Sequence, residues 1–417
     1  MTSISEELLT QCMHCGLCLS VCPTYALTGL ERSSPRGRIR LMKNVIDGTL
    51  PISPTFVDEM SFCLDCQACE TACPAGVKYG ELVESARVMI ESKKRFSLKK
   101  ILLKYFVTKR SVLLAVAYFL KFYQKSGMER LFLGFIKMVL PSLHGRMSLL
   151  PRISSRFALS VLPETTSPLT EPRGTVAVLT GCIMDVCFGE VNIDTVEVLS
   201  RNGWRVVIPH DQVCCGSLSA HNGDAETPRS LARRNIEAFE TSGADHYVIN
   251  SAGCGAFMKQ YGEILRDDRV YSERAARFSG KVVDFSEFLF KTGYRKPATM
   301  IGKKTVYHEA CHLVHAQKVS AEPKAITMEI SGRDFCELPE STWCCGSAGI
   351  YNVVRYEDGS RLLARKMENI KSTGAEIVVT GNPGCISQIE SGIRRENLQL
   401  EVVHPASLLN RLYKAGD

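Results

Sequence analysis

Apolar residues recur along this chain with two different periods. Near the N-terminus the spacing is helical. A short stretch covers 6–11, a second opens within 32–40 and runs through Met42 and Val45, and a third covers 80–92, where Leu82, Val83, Ala86, Met89 and Ile90 share one face. Residues 96–150 are also helical and strongly apolar. Lys104, Lys109, Arg110, Lys121 and Lys137 interrupt every run before it reaches the ~20 residues that a membrane span needs. Pro151, Pro163, Pro168 and Pro172 then sit among Ser and Thr, so 151–173 reads as a linker. From Gly174 the period changes. β-Branched runs at 176–179, 205–208 and 246–249 alternate with helical spacing at 191–201, 229–241 and 257–265, which predicts a parallel sheet.

This alternation occurs twice. A strand-like run precedes Cys182 and another, at 305–307, precedes Cys311. Cys214-Cys215-Gly216-Ser217 recurs as Cys344-Cys345-Gly346-Ser347, and Gly253-Cys254 recurs as Gly384-Cys385. The register between matched cysteines hardly drifts, so the simplest account is two copies of one unit. The chain therefore divides into 1–95, a basic helical segment 96–150, a linker 151–173, and repeat units 174–295 and 296–417. The expected fold class is α+β multidomain: a helical N-terminal module followed by two α/β units with parallel sheets.

Composition changes this picture in two places. The chain has 417 residues with ordinary globular proportions and a net charge of +7. Between Lys93 and Arg146 lie thirteen Lys/Arg and one acid, Glu129, which leaves the rest of the chain net negative. An anionic partner is therefore to be sought at that segment. It reads either as amphipathic helices on an anionic membrane surface or as an arm docked on a partner subunit or on the rest of the chain. Its aromatics sit among aliphatics and not in a stacking pattern, which argues against nucleic acid. The eighteen cysteines follow a start carrying Glu6 and Glu7 where a signal peptide would be basic, so thiolates in a reducing, cytoplasmic compartment are expected.

Eight of those cysteines form two quartets. Cys12, Cys15, Cys18 and Cys22 precede Pro23, and Cys63, Cys66, Cys69 and Cys73 precede Pro74, both as C-x2-C-x2-C-x3-C-P. This is the spacing of two-cluster ferredoxins, in which the fourth cysteine of each run ligates the other cluster. It assigns Cys12, Cys15, Cys18 and Cys73 to one [4Fe–4S] cluster and Cys63, Cys66, Cys69 and Cys22 to the other. Structural zinc is the alternative, but zinc sites use separated C-x2-C pairs. The basic stretch around Pro35-Arg36-Gly37-Arg38 either lies against these anionic sites or is a solvated helix start.

In the repeats, Cys182, Cys214, Cys215 and Cys254 fall just past successive strand ends, as do Cys311, Cys344, Cys345 and Cys385. Open α/β sheets place their ligands there. These eight are candidate ligands for a further iron–sulfur centre, with thiol redox chemistry or zinc as alternatives. Cys187 and Cys336 have no repeat partner and read as bystanders. His210, His308 and His312 lie near the cysteine loops, as ligands, hydrogen-bond donors or satisfied loop residues.

The two quartets, the basic segment and the doubled cysteine-rich unit together resemble the iron–sulfur subunit of glycolate oxidase (glycolate dehydrogenase). Related architectures occur in subunits of glycerol-3-phosphate and lactate dehydrogenases and of heterodisulfide reductases. The resemblance is most specific at Pro35-Arg36-Gly37-Arg38, at 251–257 with Tyr261-Gly262, at His315-Ala316-Gln317-Lys318 and at 344–349. It identifies the repeats as "CCG" cysteine-rich domains. It departs from the heterodisulfide pattern where Phe257 and Gln388 replace a fifth cysteine and where Glu309 precedes Cys311, which argues against a noncubane cluster. The resemblance implies an electron-transfer subunit with no catalytic residue of its own. An FAD-binding partner subunit would oxidise glycolate or D-lactate, and a quinone-linked acceptor, reached by peripheral contact with the inner face of the membrane, would take the electrons. The rival readings are the glycerol-3-phosphate or lactate cousin, heterodisulfide-type catalysis at the CCG cysteines, and a zinc-bearing scaffold.

Overall fold

The computed structural model describes residues 4–139 and 141–416. In the N-terminal module, helices Glu6–Thr10, Pro35–Ile46, Pro54–Phe62 and Tyr79–Ser92 close around Leu9, Ile39, Met42, Phe56, Met60, Leu82, Val83 and Ala86. Two of the helices start with the same device. The Ser34 hydroxyl accepts from the Gly37 N–H at 3.0 Å and the Ser53 hydroxyl from the Phe56 N–H at 3.2 Å. A proline follows each serine, at the one turn where a missing N–H leaves no hydrogen bond unmade. Gly37 also has a packing reason: a Cβ there would lie 1.9 Å from the Glu31 carbonyl oxygen.

The basic segment forms helices Arg110–Lys125, Met128–Val139 and Pro141–Met147. One side covers this chain's own first repeat unit. Ala117 packs with Phe157 and Val186, and Arg110 Nη1 donates to Asp185 Oδ2 at 2.6 Å. Phe119, Phe122 and Met138 are left more than half exposed on these helices. Among the described residues no helix is long and apolar enough to cross a membrane.

Five strands build the first sheet: β1 (Thr165–Thr166), β2 (Gly174–Val178), β3 (Trp204–Val207), β4 (His246–Ile249) and β5 (Val282–Asp284), in the order β1-β3-β2-β4-β5. Four build the second: β6 (Thr305–Tyr307), β7 (Phe335–Cys336), β8 (Ile377–Val379) and β9 (Glu401–Val403), in the order β7-β6-β8-β9. All pairs are parallel except β1 with β3. Without β1 the two orders are the same, so the sequence repeat is a structural one. The proline-rich stretch 151–173 is more than a tether: it supplies helix Ala158–Val161 and the edge strand β1.

The helix expected over 257–265 instead starts at Ala252 and breaks at Gln260 into Ala252–Lys259 and Tyr261–Ile264. Its glycines hid the start from a propensity argument. Gly255 is needed for close approach, because a Cβ there would meet Gln317 Nε2 at 2.7 Å, and that amide donates to the Ala252 carbonyl at 2.9 Å.

The two units share one core. Val176, Val178, Leu199 and Val206 of the first lie in a single buried cluster with Ile326, Ile377, Val403 and Leu409 of the second. The last helix of each unit packs on the other's first long helix: Pro405–Gly416 on Gly189–Arg201, and Phe285–Thr292 on Ala321–Ser331.

Candidate metal centres

Both N-terminal quartets sit on loops of one backbone shape. His14 and Gly16 in the first, and Asp65 and Gln67 in the second, hold positive φ at the same two positions, 55° and 86° against 56° and 60°. Left-handed residues between right-handed ones turn successive N–H groups inward, toward an anion. In the second loop the Asp65 N–H donates to Cys63 Sγ at 3.3 Å. Non-glycine residues in this region are strained by ~1–2 kcal/mol each, and such strain collects at functional sites. In the first loop glycine takes the second of these positions, at a φ of 86° that side chains rarely adopt, and Arg36 Nη1 occupies the space a Cβ would need.

Cys22, although part of the first run, lines the same pocket as Cys63, Cys66 and Cys69, walled also by Arg38 and Tyr79. Cys12, Cys18 and Cys73 all lie half-buried against the module core, and Gln11 Nε2 ties the first loop to the Ala75 carbonyl at 2.6 Å; Cys15 is exposed. Burial pushes the Cys63 thiol up and the Cys66 and Cys69 thiols up strongly. Gathered thiols of this kind become thiolates only if a cation replaces their protons. Iron supplies that charge, so the donor set and its pocket fit an iron–sulfur group.

Two of the arginines of 32–40, Arg36 and Arg38, lie against these loops. Arg38 is fully buried, donating from Nε to the Glu59 carbonyl at 2.7 Å and from Nη1 to Thr24 Oγ1 at 3.0 Å, with its charge directed at Cys63 and Cys22. Arg36 pairs with Glu31 and donates to the His14 carbonyl at 3.1 Å. Arg32 reaches Glu59 from outside. The solvated-helix alternative thus does not describe Arg36 or Arg38.

In the first repeat unit Cys182 and Cys214 lie 3.5 Å apart, and Cys215 contacts Cys254. In the second, Cys345 and Cys385 lie 3.4 Å apart, and Cys311 contacts Cys344. Cys254 and Cys385 stand in the first turn of a helix, not on a loop. The glycine of each Cys-Cys-Gly has positive φ and donates its N–H to the first cysteine's sulfur at 3.5 Å, Gly216 to Cys214 and Gly346 to Cys344. Cys187 lies among Ala117, Phe157 and Val186, where burial pushes its thiol up to about 12, and Cys336 packs on a separate core cluster. His210 is exposed, His308 is buried and His312 is half-buried.

The N-terminal module meets the second repeat at its cysteines. Cys66, Cys311 and Cys344 belong to one apolar cluster with Phe62, Leu64, Trp343 and Leu362. Beside it runs a polar network that the sequence reading missed. His221 Nδ1 lies 2.6 Å from Glu84 Oε1 and 3.3 Å from Asp65 Oδ2, and its ring stacks on His312 at 5.5 Å. Burial opposes the His221 charge, but the two carboxylates prevail and hold its pKa up at about 10. Glu84 is buried between Val83 and Ala86 on a helix that also carries Glu81 and Glu91, so its charge alone did not mark it.

Residues 8–77 match a family model described as a 4Fe-4S dicluster domain, and 176–259 and 305–390 each match one described as a cysteine-rich domain. The chain is 37% identical over 418 residues to the probable glycolate oxidase iron-sulfur subunit of Bacillus subtilis, covering 97% of this chain and 94% of that protein. It is 32% identical over 393 residues to the glycolate oxidase iron-sulfur subunit of Escherichia coli, covering 94% and 92%. It is 29% identical over 236 residues to lactate utilization protein A of Shouchella clausii, covering 56% and 98%.

Proposed function

The chain belongs to the glycolate oxidase iron–sulfur subunit family, and from that premise we propose that it is the electron-carrying subunit of a complex oxidising glycolate, or D-lactate, to the 2-oxo acid. An FAD-bearing partner performs the oxidation, and a quinone-linked acceptor at the inner face of the membrane takes the electrons. Two [4Fe–4S] clusters are held by Cys12, Cys15, Cys18 and Cys73 and by Cys63, Cys66, Cys69 and Cys22, with the CCG cysteines available for a further centre. When bound, such clusters accept and release one electron at a time.

The chain's own residues shape that chemistry. Arg38 keeps a positive charge in a dry wall beside Cys22 and Cys63, which favours added negative charge there. Phe62, Leu64 and Trp343 exclude water where Cys66 approaches Cys311 and Cys344. The exposed apolar and lysine-rich face of the basic segment supports peripheral contact with an anionic bilayer, because aromatics and lysines together suit the headgroup layer.

The observation that carries this reading is Cys22 lining the pocket of Cys63, Cys66 and Cys69. The test is anaerobic co-purification with the flavoprotein partner, followed by EPR and reduction by substrate. Glycolate or D-lactate is expected to reduce both clusters. A colourless, zinc-loaded protein that gives no EPR signal after dithionite would overturn the reading, and reduction by glycerol 3-phosphate alone would overturn the substrate.

A further inference from the structure

The two CCG copies are not equivalent, and the difference lies at the residue three before the first cysteine. The first copy has Leu179 there, and the second has His308. His308 follows β6 and is 1% exposed. Its Nδ1 lies 3.1 Å from the Ser341 carbonyl, which can only accept, so Nδ1 carries the proton. Its Nε2 therefore presents a lone pair, is buried, and has no hydrogen-bond partner. The His308 ring and the thiols of Cys345 and Cys385 offer ligand atoms that all lie within 4.8 Å of one another. A histidine whose second nitrogen is fixed on a backbone carbonyl is the arrangement that metal-bound imidazoles adopt.

A second difference points the same way. Lys366 is fully buried, and Nζ donates to the Glu340 and Ser341 carbonyls at 2.5 and 3.2 Å, with its charge facing Cys344, Cys345 and Cys385. The matching residue of the first copy, Arg234, is exposed. His221 Nε2 of the first copy is also buried without a partner, but its ring is grouped with Asp65 and Glu84, whereas beside the cysteines of the second copy a bare buried nitrogen stands with a buried cation that balances thiolates.

We propose that the second CCG copy holds a thiophilic metal, an iron of a cluster or zinc(II), with His308 Nε2 as a ligand beside Cys345 and Cys385, and that the first copy holds no such imidazole-ligated centre. Both metals accept mixed thiolate and imidazole donors. A neutral imidazole in place of a thiolate leaves an iron centre less anionic and easier to reduce. The inference rests on the reading of the CCG cysteines as ligands, and the experiment separates the two.

The test uses the anaerobically purified full-length chain with metal and sulfide analysis, pulsed EPR of the reduced protein for histidine nitrogen coupling, and zinc-edge absorption for the zinc arm. The parent protein is expected to show nitrogen in the metal shell. His308→Ala loses that nitrogen and releases the metal to a chelator about tenfold faster or more. His308→Cys retains the metal without the nitrogen signal, which distinguishes a lost ligand from a damaged fold. Cys385→Ser is expected to lose the same metal. If Cys385→Ser leaves the metal content unchanged, the CCG reading itself fails. If Cys385→Ser loses metal but the parent shell is all sulfur and His308→Ala behaves as the parent does, the ligand inference fails alone.

Discussion

Arg87 Nη2 donates to the Cys63 carbonyl at 2.6 Å. The same guanidinium donates from Nη1 to Asp65 Oδ2 at 3.3 Å and to the His221 carbonyl at 3.0 Å. One side chain of helix Tyr79–Ser92 thereby joins the loop of the second quartet to the first CCG copy. Because Cys66 also shares an apolar cluster with Cys311 and Cys344, the second quartet is where three parts of the chain meet. A site placed there has its geometry fixed by long-range contacts and not by its own loop.

His221 makes this junction pH-dependent. Its folded pKa is raised to about 10, above the ordinary value near 6.5, by Asp65 and Glu84. A raised pKa means that the stabilisation is complete below about pH 6.5 and is lost as pH climbs through about 10. The parent protein should therefore be more stable than His221→Gln at pH 6, with the gap closing toward pH 10. Thermal denaturation at both pH values measures it, and a gap that grows with pH would refute the ion pair.

Exchange of the fourth cysteines gives a prediction that the order of residues alone would reverse. Cys22→Ser should abolish the centre of Cys63, Cys66 and Cys69, and Cys73→Ser should abolish the centre of Cys12, Cys15 and Cys18. EPR identifies the survivor when Arg38→Gln is added: the signal left in Cys22→Ser should not shift with that change. A shift would place Cys22 with its own run.

Arg38 carries a stability cost as well as an electrostatic one. It is buried against Glu59, itself 4% exposed. Removing one partner of a buried pair costs ~3–5 kcal/mol when the other charge is left unpaired, and Glu59 keeps Arg32 at 3.0 Å and so loses less. Arg38→Gln should lower the unfolding free energy by part of that amount and lower the potential of the neighbouring centre, whereas Arg36→Gln should shift only the other. Urea denaturation and redox titration report these effects separately.

Much of this was legible before any coordinates. Cysteine spacing is a local property of the loop that carries it, so the dicluster domain over 8–77 was legible in the two quartets. The repeat was legible because β-branched runs and Cys-Cys-Gly recur in register. What spacing could not supply was which copy faces the N-terminal module, since Cys66 and Cys311 are far apart in sequence and meet through packing. Glu84, Arg87 and His221 were hidden for the same reason: each is ordinary in its own helix or turn, and only the junction gives it a partner. The helix from Ala252 was missed because Gly253 and Gly255 oppose helix formation locally and are retained for contacts with the second copy.

The outer face of the basic segment predicts binding to anionic vesicles. Lys104, Lys109 and Lys125 are exposed there with Phe119 and Phe122. Each lysine near an anionic surface contributes ~1 kcal/mol. Changing all three to Gln should weaken binding to phosphatidylserine vesicles by about 100-fold, conversion being tenfold per ~1.4 kcal/mol. Neutral phosphatidylcholine vesicles should bind poorly throughout. Equal co-sedimentation with both lipids would remove the electrostatic part of the claim.

The shared core makes the two CCG copies one folding unit. Leu409 is fully buried on the last helix, which packs on Gly189–Arg201 of the first copy. Leu409→Ala should cost ~2–5 kcal/mol, the range for deleting a buried leucine side chain. The chain has two tryptophans, Trp204 in the first copy's part of the common core and Trp343 beside Cys344 in the second. Fluorine NMR of 5-fluorotryptophan protein therefore reads each copy separately during urea unfolding. Both resonances should change at one midpoint, and Leu409→Ala should move that midpoint equally for both, although the substitution lies in the second copy. If the Trp343 signal moved while that of Trp204 stayed, the copies would unfold independently and the exchange of terminal helices would carry no cooperativity.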